Sequence, residues 1–511
     1  MTKQTLFIAI VVSLGGFLFG FDAGIISGVM EFAGPEFDLS DGQWGWVVSS
    51  PTFSAMFAML VSGRLSDIVG RKTILLYVAF LYTFSAILSA YAGSYEVLYI
   101  ARMIGGLAFG AALILAPTYI AEIASAENRG KLVSVQQLNI VLGFFAAFAC
   151  NNYFNGVNNQ ESFLSLTDET VWRWMLGIEA FPAIVYFFLL FFIPKSPRWL
   201  MSKNRVAEAQ KVLEKLHGSE RASEESQAIQ NSITEKKEKV DFFELFKPAL
   251  RFIMIVGLIL GVLQMATGIN AIYFYATTIF KQTGIGTDAA FTSGVLLSGT
   301  SVVFTIFAMV LIDRLGRRPL LLAGIGGIAI CLLICAYGFK QATYQLTETK
   351  VEKIEGVDAS LLEGVFGKTY DNDVDFKRDM KEALGTKVYG KKEGELIEAA
   401  VEMNAMLVLI GIIGFIACFA FSLGPGMWVM LSELFPNKYR GLAIGFIGFI
   451  NSATSWLVTQ IFPWELSNLG NSLTFLIFGV IASVGFFIFL KILPETKGKS
   501  LEELEQELVR N

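Results

Sequence analysis

Histidine occurs once in the 511 residues, as His217, and cysteine four times, as Cys150, Cys331, Cys335 and Cys418. A single histidine excludes a His-based metal site and a catalytic dyad built on imidazole. The cysteines all fall in apolar runs without other ligands, so they read as small buried hydrophobes. His217 lies in a charged loop and reads as solvated. Charge is scarce too: 17% of the residues are charged, and the net charge is −5. No basic tract is present, which argues against nucleic acid as a partner. No nucleophile–base pair, metal cluster or phosphate-cradling loop stands out, so an enzyme is rejected and no cofactor or metal is expected.

What fills the chain instead is apolar, at 54% of residues. A membrane-crossing helix needs about 20 predominantly apolar residues. Twelve such runs fall at 5–29, 43–63, 73–91, 97–121, 131–153, 172–193, 251–280, 289–312, 319–339, 403–432, 441–464 and 470–492. The first is not a signal peptide, being too long for an h-region and lacking a small-residue cleavage site. The expected fold is all-α and integral to a membrane, with both termini on one side and the lipid bilayer as solvent. Lys and Arg set the orientation. Arg64, Arg71, Lys72, Arg129, Lys131, Arg314, Arg317, Arg318, Lys438 and Arg440 fall in alternate loops, whereas the first loop holds Glu31, Glu36, Asp38 and Asp41. The termini and the polar stretch after the sixth run are therefore expected to be cytoplasmic.

The chain divides into a six-helix N-terminal half (1–193), a cytoplasmic helical linker (194–250), helices seven to nine (251–339), an outer insertion (340–402), helices ten to twelve (403–493) and a cytoplasmic tail (494–511). The linker reads as short amphipathic helices, Val206–Leu216 among them. The insertion mixes charge with Leu361, Leu362, Val365 and Phe366, and Gly394–Met406 reads as one helix running into the tenth span. The halves repeat. Glu122 precedes Arg129 after the fourth run as Glu433 precedes Arg440 after the tenth. Asp67 with Gly70-Arg71-Lys72 after the second run matches Asp313 with Gly316-Arg317-Arg318 after the eighth. The offset of the Glu motif exceeds that of the Asp motif by 65 residues, close to the length of the insertion. Two parallel, pseudo-symmetric six-helix halves with a site between them near the midplane form a secondary-transporter architecture.

Gly63-Arg64-Leu65-Ser66-Asp67-Ile68-Val69-Gly70-Arg71-Lys72 resembles the loop signature of the major facilitator superfamily. Pro194-Lys195-Ser196-Pro197-Arg198-Trp199-Leu200, Gly268-Ile269-Asn270, Asp313-Arg314-Leu315-Gly316-Arg317-Arg318-Pro319 and Pro494-Glu495-Thr496-Lys497-Gly498 resemble signatures of its sugar porter branch. The resemblance covers everything except the outer insertion. It implies a secondary transporter for a sugar. The charges at cytoplasmic helix ends, Asp67, Arg71, Glu122, Arg129, Arg198, Glu433, Arg440 and Glu495, are then expected to pair across the halves and hold that side shut, or else only to fix topology.

Asp22 is an acid inside a membrane helix, which is costly and rarely idle. Arg102 sits at a similar depth in the fourth run, so an ion pair is geometrically open to them, and protonation of Asp22 would release Arg102. The competing reading is a permanent structural pair. Glu179 in the sixth run is a further acid without an evident partner. The resemblance also implies sugar-binding positions at Gln137, Gln264, Asn270, Trp428 and Asn451, with Phe274 and Tyr275 as weaker aromatic candidates. Amides suit hydroxyls because they donate and accept together, although any one of them can instead bond helix to helix. Three positions depart from the family: Met265 replaces a second glutamine, Ser452 stands where an aromatic is common, and Phe144 stands where a polar residue is common. The reading is a proton-coupled monosaccharide symporter working by alternating access in a bacterial inner membrane, functional as a monomer. A facilitative uniporter is the alternative. A transporter-like sensor is disfavoured by the short tail after the last run.

Overall fold

The structure is a computed structural model and describes residues 3–124, 129–158, 166–234, 241–499 and 501–508. Twelve of its helical segments are long and apolar enough to cross a membrane. Helices are the form such runs must take, because hydrocarbon offers no partner for a free backbone N–H or C=O. The protein is thus an integral membrane protein. Most spans outrun their apolar core. The first extends over Lys3–Glu36 and the second over Asp41–Val69, since water at the membrane surface tolerates polar ends.

Within the N-terminal half the first span lies along the fifth (Ser134–Asn158) and the second along the fourth (Tyr95–Ile123). In the C-terminal half the ninth span (Arg317–Lys340) packs on the tenth (Ala405–Leu434) and the twelfth (Gly470–Ile492). The halves meet where the second span touches the eleventh (Lys438–Asn468) and the fifth touches the eighth (Thr287–Leu311). Small residues permit the close pairs, as lipid gives no hydrophobic drive between helices. A Cβ on Gly20 would strike the carbonyl of Ile140, and one on Gly143 the carbonyl of Phe17.

Among the described residues, three spans are interrupted. The sixth is interrupted between Gly177 and Ala180. The seventh (Pro248–Phe274) turns at Gly268, whose φ of 85° is a left-handed value that a side chain disfavours. It resumes as Ile269–Phe274 and, past Tyr275, as Ala276–Lys281. In the tenth, Ser422 interrupts the helix at φ −126° and ψ −85°, just before Pro425, which has no amide hydrogen to give.

The linker forms helices Pro197–Ser202, Val206–His217 and Ser219–Thr234, with Trp199, Leu200, Ala209 and Leu213 buried between them. His217 is not solvated as expected. Its side chain is 9% exposed, and Nε2 lies 3.2 Å from Glu225 Oε2, because the next helix folds back over it.

The segment between the ninth and tenth spans has a core of its own, including Tyr344, Leu362, Phe376, Met380, Tyr389 and Leu396. Strand β1 (Thr343–Gln345) lies between β2 (Thr369–Tyr370) and β3 (Val401–Glu402), antiparallel to both. Helices Asp373–Leu384 and Thr386–Ala400 complete it. The single helix expected over Gly394–Met406 is not formed. β3 separates Ala400 from Ala405, where Asn404 caps the tenth span by accepting from Leu407 N at 3.2 Å. β-branched Val401 favours the extended form, and the cap restarts the helix.

Replacing Gly20 by Val forces the first and fifth spans apart. A destabilisation of about 3 kcal/mol is expected, the upper end for overpacking. A lowered thermal midpoint of the purified protein, relative to an exposed control such as Gly441→Ala, measures it.

Candidate functional site

Asp22 and Arg102 are brought together at mid-bundle. Arg102 Nη1 donates to Asp22 Oδ1 at 3.1 Å, with side-chain exposures of 2% and 8%. Arg102 Nε also donates to the carbonyl of Val47 at 3.0 Å, so the first, second and fourth spans converge on one guanidinium. A small crevice beside the pair is lined by Phe19, Ala23, Pro51, Thr52 and Phe274. Glu179 is buried near enough for its charge to interact with both Asp22 and Arg102. The sequence offered no partner for Glu179 because the sixth span reaches the pair only through packing.

The amides gather at the breaks of the seventh and tenth spans. Gln264 Nε2 donates to the carbonyls of Leu423 at 2.9 Å and Gly424 at 3.3 Å, beside the break in the tenth span. Its Oε1 accepts from Asn451 Nδ2 at 2.9 Å, and that nitrogen also donates to Gly261 O at 2.8 Å. Asn270, two residues after the Gly268 break, donates to Ser455 Oγ at 2.6 Å and lies 3.6 Å from Met265 Sδ. Trp428 is 42% exposed. Gln137 is half-buried. Tyr275 is placed differently: it is 1% exposed and donates to Thr459 O at 3.0 Å. Phe274, 4% exposed, borders the Asp22 crevice instead. Phe144 packs on Tyr273 across the halves, with ring centroids 4.5 Å apart, so an apolar contact stands where the family has a polar side chain.

The two ends of the bundle differ. At the end carrying the insertion the halves are tied together. Ser27 Oγ and Thr277 Oγ1 lie 2.9 Å apart, Lys281 Nζ reaches Glu31 Oε2 at 2.7 Å, and Asn155 Nδ2 donates to Asp288 Oδ1 at 2.7 Å. Ser49 Oγ donates to Gln460 Oε1 at 2.7 Å. At the end carrying the linker, the charged clusters bond within each half. Arg71 meets Asp67 at 2.6 Å and Glu122 at 3.0 Å, and Ser196 Oγ donates to Glu122 at 2.5 Å. Arg317 meets Glu433 at 2.9 Å, and Thr496 Oγ1 donates to Glu433 at 2.6 Å. Glu495 accepts the backbone N–H of Arg317 at 3.1 Å and of Arg318 at 3.2 Å. Arg440 donates to Phe435 O at 3.1 Å, and Arg198 is exposed. The side chain of Arg129 lies outside the described residues. Pairing across the halves by these charges, expected from the sequence, is therefore absent among the described residues in this conformation. At the insertion end these bonds cross between the halves, and at the linker end each described cluster bonds within its own half. Glu31, Lys281, Ser27, Thr277 and Gln460 were not singled out from sequence. The one available signal was a lysine at the outer end of the seventh run facing an acid-rich first loop.

The family profile described as "Sugar (and other) transporter" matches residues 8–357 and 384–508. The chain belongs to the sugar porter family of the major facilitator superfamily. It is 33% identical over 494 residues to the arabinose-proton symporter of Bacillus subtilis, covering 96% of this chain and 92% of that one. With the D-xylose-proton symporter of Escherichia coli it shares 30% over 531 aligned positions, covering 98% and 94%. A solved structure of the E. coli xylose transporter XylE, in a partially occluded inward open conformation, matches with a TM-score of 0.75 at 26% identity over 98% of this chain and 100% of that chain. As a sugar porter, the chain is a transporter by family and fold. The profile passes over 358–383, inside the insertion.

The Glu122 and Glu433 clusters occupy corresponding places in separate halves, so their contributions add where they do not touch. Glu122→Ala and Glu433→Ala are each expected to cost about 2 kcal/mol, the range for hydrogen bonds to charged groups. Thermal unfolding of the single and double variants checks this; a marked non-additivity would mean the clusters are coupled.

Proposed function

We propose that this sugar transporter is a proton-coupled monosaccharide symporter working by alternating access. The observation that carries the coupling is the buried Asp22–Arg102 pair at 3.1 Å. A carboxylate away from water is stable as an anion only beside a cation. Protonation removes that need, frees Arg102 and changes what the first, second and fourth spans hold in common. Glu179 adds a second acid to the same pocket and takes part in holding its charge balance. The names of two relatives, arabinose-proton and D-xylose-proton symporters, support the same reading.

Sugar binds between the halves, at Gln264 and Asn270 on either side of the break in the seventh span and Asn451 of the eleventh, with Gln137 from the fifth and Trp428 from the tenth. The amides occupy one another, as Asn451 does Gln264 at 2.9 Å. Hydroxyls exchange for these bonds on binding, which makes the site polar yet uncharged. Tyr275 shapes the turn at the end of the seventh span, and Phe274 lies between the sugar site and Asp22. The Lys- and Arg-rich linker end faces the cytoplasm of a bacterial cell, by the positive-inside rule. This conformation is thus inward-facing, and the charges of the linker-end clusters serve as the cytoplasmic gate when that side closes. A single chain contains the whole site and works as a monomer. The second reading, facilitative uniport, rests on the bond from Arg102 to Val47 O, which suits a fixed structural tether.

Proteoliposomes with an imposed inward proton gradient separate the two. Native protein is expected to accumulate a labelled pentose or hexose, and Asp22→Asn is expected to lose accumulation while retaining exchange. Uptake indifferent to the gradient in both would leave a uniporter. Gln264→Ala should weaken sugar binding about tenfold, one lost hydrogen bond of roughly 1.4 kcal/mol. Titration of indole fluorescence measures that change, and an unaltered affinity would remove Gln264 from the site.

A further inference from the structure

The insertion between the ninth and tenth spans is fixed to the C-terminal half by buried polar contacts. Asp373 accepts from Asn471 Nδ2 at 2.8 Å and from Asn471 N at 3.2 Å, at the start of the twelfth span. It also pairs with Lys377 at 3.0 Å. Glu393 accepts from Gln282 Nε2 at 3.1 Å and from Tyr389 Oη at 3.1 Å. Through these bonds the helix Thr386–Ala400 sits over the end of the short helix Ala276–Lys281.

Lys281 is the residue at that contact. Its ammonium lies against Gly394, 2.9 Å from where a Cβ on that glycine would stand. Glu393 and Glu395 flank that glycine on the same helix, and Glu395 meanwhile pairs with Lys392 at 2.8 Å. The direct partner of Lys281 is Glu31, 2.7 Å away on the first span, in the other half. Glu31 also accepts from Thr278 Oγ1 at 2.5 Å. The side chains of Lys281 and Glu31 are 18% and 8% exposed. The lysine therefore stands between one acid of the N-terminal half and two acids of the insertion. When the halves part at this end, Glu31 leaves with the first span. Glu393 and Glu395 stay, because the insertion is anchored to the same half as Lys281.

We infer that the insertion is an electrostatic counterpart of the outer gate: Lys281 pairs with Glu31 while that end is closed and is taken over by Glu393 and Glu395 when it opens. The transfer removes the penalty of leaving a partly buried cation unpaired. It gives the insertion a role in setting the balance between the two facing states. This inference rests on the alternating-access reading, but not on which solute is carried or whether a proton accompanies it.

The two sets of acids then act with opposite sign. Glu31 stabilises the closed end only, whereas Glu393 and Glu395 matter more once Glu31 has gone. Nitroxide labels at Tyr91→Cys and Asn468→Cys, exposed positions at the insertion end of opposite halves, read the opening by pulsed dipolar spectroscopy. The measurement uses the full chain in nanodiscs, in a background without the four native cysteines. Glu31→Gln is expected to raise the outward-open fraction, on the order of tenfold, as for a lost buried charge pair. The double variant Glu393→Gln, Glu395→Gln is expected to lower it about threefold, the amides retaining the Gln282 and Tyr389 contacts. In a Lys281→Met background the insertion variants should have no further effect, and that cycle assigns the change to the lysine. A shift of the insertion variants toward opening would overturn the inference, since the insertion would then be a latch. No shift, with the label distances intact, would overturn it as well. Distances that never change under any variant or added sugar would instead refute alternating access itself, which separates the two failures.

Discussion

An ionised side chain deep in the bundle has no water to turn to, and this constraint organises the rest of the molecule. Asp22 and Arg102 meet at 3.1 Å, and the second span is drawn in through Val47. The cost of an unpaired charge in this setting is several kcal/mol. A pair of this kind is stable in two ways only, with both groups charged and touching or with the acid neutralised. The geometry that makes the pair stable also ties three spans to one guanidinium.

The same constraint acts at the ends. Each half closes its own clusters, Arg71 with Glu122 and Arg317 with Glu433, and so forms a unit that does not depend on its partner. The units touch through a limited set of bonds, which in this conformation lie from the midplane to the insertion end. Lys281 with Glu31 is an ion pair among them. The halves meet along two pairs of spans, the second with the eleventh and the fifth with the eighth. The broken seventh span carries Gln264 and Asn270 on either side of its turn at Gly268.

Much of this was legible in order of residues. Twelve apolar runs, loop charge and the repeated Glu–Arg and Asp–Gly–Arg motifs announced a duplicated bundle, since hydrocarbon thickness fixes run length and duplication leaves paired motifs. Gln264 and Asn270 were legible as polar residues beside Gly268. Two features were misread. Gly394–Met406 looked like one helix, because its composition is helical until β3 pairs with β1. His217 looked solvated, because its neighbours in sequence are charged while its neighbour in space is the following helix. The gate charges Asp67, Arg71, Glu122, Glu433 and Glu495 bond within their own halves in this conformation.

The sequence by itself determined the solvent, the number of spans and the family, because each of these depends on composition and spacing along the chain. It also placed Asp22 and Arg102 at matching depth, since depth follows from counting residues along a helix. Only the tertiary structure decided which charges touch, that Glu179 is buried, that Gln264 and Asn451 hold one another, and at which end bonds cross between the halves. Those outcomes depend on the rotation of each helix and on residues hundreds of positions apart, as Glu31 and Lys281 are. Periodicity sets which face of a helix is apolar, but not which neighbour that face will meet.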